Sequence, residues 1–294
     1  MVNFLLLLAV TFWGLSFVGT KIALAYLTPI EIVTARMFLG VPVLFLIMRF
    51  KRIAFHFEKG DYVIILIASM LLGIHFLIQA KGLIYTTATN TAWLIATIPI
   101  FIAFLSYLFL KEKLNIFKIS GIAVATVGVL LLISNGHFSD FGWIRSTGDW
   151  IILASCVTWS VYTIITRNIT RRVNPLAVSL GILLPPAIIL IIYTLGATPP
   201  TKFLHLPWHI FLVLVFLGVI CLGLAHWLWL EGLSRKGATD VGVFLYFEPI
   251  ATTVAAIPIL GEQLSIFLII GAILIISGVY MVQKRPLSVP VRKK

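Results

Sequence analysis

One carboxyl stands apart in a chain with few of them. Glu248 lies in the apolar run that starts near Asp240, eight residues in, which is about 12 Å along a helix. That depth approaches the middle of a lipid bilayer. An ionisable group there is costly unless it faces a cavity or a partner, so binding or proton exchange is its default role. Pro249 follows directly, and its ring frees a backbone carbonyl one turn earlier. A protonated Glu248 bonded to that disrupted backbone is the structural alternative.

Two tryptophans, Trp13 and Trp159, also fall near the middle of apolar runs. Indole prefers the membrane interface, where its N–H stays wet. At mid-depth, a pair of indoles suits the walls of a cavity that stacks on a solute or holds a cation, or else a packed seam. His75 and Gln79 are four residues apart and share a helix face, and His226 adds a second buried imidazole. These three could hydrogen-bond a solute or one another. Trp93, Tyr162, Trp229 and Tyr246 are further aromatic candidates for the cavity; they and Trp227 carry less weight singly. Asn90 and Asp240 open two apolar runs and read as helix caps. Arg36, with Glu31 nearby, reads as salt-bridged structure, and Lys21 as a snorkelling side chain. Glu231 is placed to meet Arg235 one turn on, and Glu112 and Glu262 to cap or tie neighbouring helices.

The elements that position these residues follow from composition. The chain of 294 residues is 61% hydrophobic and 11% charged, against about 25% charge in an ordinary soluble domain. So much apolar surface implies lipid as part of the solvent. Apolar runs fall near 3–25, 30–48, 62–82, 89–110, 116–134, 149–166, 175–196, 208–230, 240–260 and 266–283. Each approaches the roughly 20 residues that cross the hydrocarbon core as helix. Their continuous apolarity excludes the alternation of barrel strands. With both termini in the cytoplasm of the cell (inner or plasma) membrane, 17 of 22 Lys and Arg fall on the inner side, as the positive-inside rule expects. The exceptions are Lys21, Arg36, Lys81, Arg145 and Lys202. Trp143, Trp150 and Trp208 then fall at the outer interface.

The chain also repeats itself. Gly82–Leu114 is echoed without gaps by Gly232–Leu264, with Pro99 matching Pro249 and Glu112 matching Glu262. The echo continues through Gly121 and Gly128 to Gly271 and Gly278. At the head of each half, Trp13, Lys21 and Pro29 match Trp159, Arg167 and Pro175. Five helices make one unit, and an odd number inverts the second copy. The expected architecture is therefore an all-α polytopic membrane protein, with ten transmembrane helices as two inverted five-helix repeats. The first repeat spans 1–137 and the second 149–284, with an extracytoplasmic connection at 138–148 and a basic cytoplasmic tail at 285–294. Inverted repeats are the architecture of secondary transporters, which rock around a site near the midplane. The copies disagree where Ile98 stands opposite Glu248.

These residues resemble an EamA-type member of the drug/metabolite transporter superfamily. The features that carry the likeness are Phe12-Trp13-Gly14, Arg36, the paired prolines, the turns Lys111-Glu112 and Gly261-Glu262, and the paired glycines of the closing helices. The resemblance implies a carrier whose central cavity is lined by helices 1, 3, 4, 6, 8 and 9. It also implies small metabolites as cargo, commonly moved outward.

Other classes fit poorly. There is no HExxH, no GxSxG and no Walker GxxxxGK[ST], so neither an intramembrane enzyme nor an ATP-driven pump is indicated. Cys156 and Cys221 suggest neither a disulfide nor a metal site. The net charge of +12 reflects topology rather than nucleic acid. No cofactor is expected; the partners are lipid and a small solute, and the oligomeric state is open. The expected function is proton-coupled or facilitated movement of a small metabolite, such as an amino acid, an amine or a nucleobase-like solute, with export as the direction. Uptake is the alternative, and a non-transporting receptor or scaffold is the rival from another class.

Overall fold

The computed structural model describes residues 2–134, 146–260 and 266–283, and they form helices joined by short turns. Among the described residues, eight helices are long and apolar enough to cross a membrane. They are α1 (Val2–Ala23), α2 (Pro29–Phe50), α3 (Lys59–Tyr85), α4 (Ala88–Phe109), α6 (Thr147–Arg172), α7 (Pro175–Ala197), α8 (Trp208–Arg235) and α9 (Ala238–Ile259). Two shorter apolar helices, α5 (Ile116–Ser134) and α10 (Ile266–Gln283), complete the bundle. The chain is a multi-pass membrane protein by these spans. Glu262, Trp143, Arg145 and the basic tail lie outside the described residues.

Local chemistry sets the helix starts. Thr28 and Glu31 form a reciprocal capping box with Pro29 in the first turn of α2. Ser146 and Asp149 do the same for α6. The expected caps at Asn90 and Asp240 are corrected. Thr87 accepts the Asn90 amide at the head of α4, while the Asn90 side chain donates to Asp149 Oδ1 at 2.6 Å. Asp240 instead pairs with Lys118 at 2.6 Å. The head of α9 is capped from a distant turn, by the Glu112 carboxylate on the Ala238 and Thr239 amides at 2.7 and 3.2 Å. Burial works to raise the pKa of Glu112, but hydrogen bonds, those two amides among them, outweigh it and hold it below the usual carboxylate value.

Contacts between chain ends sort the helices into alternating directions. Arg172 with Asp61, Glu112 with α9 and Lys236 with Gln283 gather at the end where α1 begins. Lys21 with the Leu83 and Thr86 carbonyls, and Lys202 with Glu31, gather at the opposite end. Lys21 is thus held by two carbonyls, at 2.6 and 2.7 Å, rather than snorkelling.

α5 packs on α10 at glycines. A Cβ added to Gly121 would stand 2.6 Å from the Gly278 carbonyl oxygen, and one on Gly128 2.7 Å from that of Gly271. Small residues let the two backbones touch. Ascending numbers on α5 meet descending numbers on α10, so the pair is antiparallel. Large apolar side chains such as Phe45, Met70, Phe104 and Ile189 point outward, as lipid-facing helices require. Trp150 and Trp208 are 65% and 75% exposed at the heads of α6 and α8.

Candidate functional site

Two helices break where proline removes an amide. In α9, Pro249 has no N–H for the Leu245 carbonyl, and Val243–Phe247 tighten into a 3₁₀ turn before the α-helix resumes at Glu248. In α4, the helix pauses at Ala96 and Thr97 and resumes at Ile98-Pro99. Thr97 bonds back to the Leu94 carbonyl at 2.7 Å. On α1, Gly14 O lies 2.9 Å from the Thr252 hydroxyl, which is also 2.8 Å from Glu248 O. That shared bond clamps the broken turn of α9 against α1.

Between the two breaks lies a narrow cleft with about 30 Å³ of internal space. α1 contributes Trp13, Ser16 and Phe17; α3 contributes His75, Phe76 and Gln79. The breaks supply Ile95 and Ile98 from α4, and Leu245 and Glu248 from α9. Trp159 from α6 and Arg36 from α2 complete the wall. Ile98 and Glu248, the matched but unlike positions of the two copies, therefore face the same space.

The aromatic wall is continuous. Trp13 and Trp159 meet edge to face, with ring centroids 5.0 Å apart. Trp229 packs on both, at 5.3 and 5.8 Å. Trp13 Nε1 donates to the Cys221 carbonyl at 2.8 Å, whereas Trp159 Nε1 has no partner. His75 stands 5.0 Å from Trp159. Its Nδ1 lies 3.0 Å from Ser155 O, a group that only accepts, so Nδ1 carries the proton and Nε2 accepts from Gln79 Nε2 at 3.4 Å.

Of the residues expected at the site, Trp13, His75, Gln79, Trp159 and Glu248 line the cleft, and Trp229 backs it from behind. Others lie elsewhere. Tyr162 and His226 bond each other at 2.7 Å, both buried. Tyr246 bonds Thr126 of α5 at 2.8 Å. Trp93 is not part of the lining.

Arg36 is the correction that matters most. Glu31 does not pair with it: its carboxylate takes Lys202 at 2.7 Å and the Thr198 hydroxyl at 3.0 Å. Arg36 is 4% exposed, its Nε has no hydrogen-bond partner, and its guanidinium lies 5.0 Å over the Phe76 ring. Glu248 is 2% exposed, and among the described residues no side chain bonds or ion-pairs with its carboxyl. A larger groove of about 1010 Å³ between α2, α7 and α8 is walled by residues such as Phe38, Ile191 and Phe211 and has no ionisable group in its lining. That is the chemistry of a lipid-facing surface. Cys156 and Cys221 are free and buried, and no cluster of metal ligands occurs among the described residues.

The described residues form an all-helical, multi-pass bundle, and a cleft that holds one acid and one base lies between its broken helices. The chain belongs to the EamA-like transporter family, whose profile matches it twice, over residues 1–134 and 146–283. It is similar to an uncharacterized transporter of Archaeoglobus fulgidus, 29% identical over 95% of this chain and 96% of that one. It is also similar to the uncharacterized transporter YoaV of Bacillus subtilis, 25% identical over 92% of each. A solved structure titled only as the crystal structure of a protein has the same fold, with a TM-score of 0.75 at 19% identity over 96% of both chains.

Proposed function

We propose that this chain is a secondary transporter that carries a small, amine-bearing metabolite across the cytoplasmic membrane by alternating access. Ten spans form two inverted halves, 1–137 and 149–284, with both termini in the cytoplasm and export as the working direction. The observation that carries the reading is the cleft itself: both halves wall it, and its carboxyl sits at a helix break without a side-chain partner among the described residues. Glu248 receives the solute's amine or a proton, and Trp13 and Trp159 form the aromatic wall.

Contacts between matched residues support the inversion. Gly121 meets Gly278 while Gly128 meets Gly271, so each copy presents the same surface to the other, as a two-fold axis requires. Trp13 and Trp159, matched at the heads of the halves, touch each other. The family match in two segments, 1–134 and 146–283, supports a chain of two halves.

The test is counterflow in proteoliposomes loaded with an unlabelled solute and supplied with the labelled one, across amino acids, amines and nucleobases. Wild-type protein should accumulate label transiently for one class, and Glu248→Gln should not. Exchange undiminished in Glu248→Gln at every pH would remove Glu248 from the mechanism.

A further inference from the structure

We propose that Lys21 and Arg167 form a pair of alternating latches, each closing its own end of the bundle by bonding the carbonyls that end a facing helix. In this structure the Lys21 latch is engaged and the Arg167 latch is released. The proposal rests on the carrier reading above and assigns residues to its two gates.

The two cations are equivalent by the repeat, as Trp13, Lys21 and Pro29 match Trp159, Arg167 and Pro175 without a gap. Their targets are equivalent too. α3 ends at Tyr85 and α8 at Arg235, matched positions of the echo that pairs Gly82 with Gly232. The next residue is extended in both, with φ of −137° at Thr86 and −126° at Lys236. A new helix then opens at Ala88 or at Ala238.

On this shared frame the cations behave differently. Lys21 Nζ donates to Leu83 O at 2.6 Å and to Thr86 O at 2.7 Å, which ties α1 to the end of α3. The matched acceptors for Arg167 are the Leu233 and Lys236 carbonyls. Arg167 does not take them: it is 7% exposed, and its Nε and Nη1 are buried without a hydrogen-bond partner. Its acidic neighbours are committed elsewhere, Glu112 to the Ala238 and Thr239 amides and Asp240 to Lys118. A buried guanidinium without a partner is costly, and the last carbonyls of a helix need donors. α6 already packs against α8, through Trp159 on Trp229 and Tyr162 on His226, so the two partners sit on adjoining helices.

The rest of the α6 face gives a second, independent reason. Trp159, Thr163 and Arg167 are four residues apart and share one face, which runs from the cleft to the end where α1 begins. Trp159 Nε1 and Thr163 Oγ1 are, like the guanidinium, buried without partners. Helical side chains lean toward the helix N-terminus, so Arg167 leans back toward the cleft. On α1 the matched face is Trp13, Phe17 and Lys21, and it runs from the cleft to the opposite end. Both of its donors are engaged, Trp13 with Cys221 O at 2.8 Å and Lys21 with the end of α3. One face is satisfied and its twin is not. Two conformations that exchange which face is engaged account for both. With the cytoplasmic N-terminus proposed above, Lys21 latches the outer end and Arg167 the inner one.

The experiment places spin labels on matched exposed pairs in full chains that carry Cys156→Ala and Cys221→Ala. Ala25→Cys with Tyr85→Cys reports beside Lys21, and Arg171→Cys with Arg235→Cys beside Arg167. Distances within each pair are read by electron resonance in lipid nanodiscs. A hydrogen bond to a charged group contributes at least about 1.5 kcal/mol, so losing a latch should change the ratio of the two conformations at least about 10-fold. Lys21→Met should lengthen the Ala25–Tyr85 distance and shorten the Arg171–Arg235 distance. Adding Arg167→Met to that variant should return both toward wild type. Arg167→Met alone breaks no bond in this structure and should keep the thermal midpoint. A fall of more than about 4 °C would mean that the guanidinium is bonded at rest, and it overturns the proposal even if Lys21→Met does not fold. Unmoved distances in Lys21→Met, distances that lengthen at both ends together, or a double variant that does not move back also overturn it. Counterflow by wild-type protein with unmoved distances would remove the latch and keep the carrier. Opposed shifts in a protein that exchanges no solute would keep the latch and remove the carrier.

Discussion

Gly14→Ala should loosen the site from behind. A methyl group there would lie 2.7 Å from Glu248 O and 2.8 Å from Ala251 Cβ. Those are backbone and near-backbone atoms, so relief requires α1 and α9 to separate by several tenths of an ångström. Overpacking of this kind costs about 1–3 kcal/mol. The gain in helix propensity from Gly to Ala offsets about 1 kcal/mol of it, leaving a net loss of about 0–2 kcal/mol; the Gly196→Ala control has the same helix gain, so the gap between the two variants is about 1–3 kcal/mol. The same shift would weaken the Thr252 clamp and move the Glu248 turn, so exchange should fall further than stability does. Gly196→Ala is the control, since a methyl there meets nothing within 4 Å. The assays are thermal unfolding in detergent and counterflow in proteoliposomes. If Gly14→Ala matches Gly196→Ala in both, the α1–α9 contact does not hold the site as described.

Glu112→Gln should cost about 1 kcal/mol by weakening the cap on α9, read as a lowered thermal midpoint at pH 7. Because folding holds the Glu112 pKa below its ordinary value, its contribution is complete above about pH 4.3 and is lost as pH falls through the folded-state value. The gap between wild type and variant should therefore narrow in acid. Tyr162→Phe leaves His226 Nε2 without its partner and should cost about 1–3 kcal/mol of stability. Solute preference should not change, since neither residue lines the cleft, and ligand-dependent thermal shifts would check this. Trp13→Phe removes the bond to Cys221 O but keeps an aromatic wall. It should lower stability by about 1 kcal/mol and weaken, without abolishing, any solute-dependent thermal shift.

Much of the bundle was legible because continuous apolar runs and proline-glycine punctuation are strong local signals. The run near 149–166 extends in the structure to Arg172, because charged residues can continue a helix beyond the hydrocarbon. Trp13 and its echo Trp159 are two residues that touch. Other site residues were misplaced for specific reasons. Arg36 does not meet Glu31 because five residues put them about 140° apart around a helix rather than on one face. The true partner of Glu31, Lys202, lies far along the chain and leaves no local trace. Tyr246 and Glu248 are two apart and cannot share a helix face, so one enters the cleft and the other turns to Thr126. His226 is one residue off the match to His75, a rotation of about 100° that sends it to Tyr162. Glu112 reads from sequence as a cap or tie to a neighbouring helix, and it does cap one; that the helix is α9 leaves no local trace, because Gly237 at that head has no side chain to mark the cap.

Alternating access is tested most directly at Ser16, which lines the cleft. Ser16→Cys, with Cys156 and Cys221 replaced by Ala, is labelled by a membrane-impermeant maleimide in right-side-out and inside-out vesicles. The account predicts reactivity from both sides, with a solute bound in the cleft changing the two rates in opposite directions. Labelling from one side alone under all conditions, or rates from both sides that rise and fall together, would contradict it.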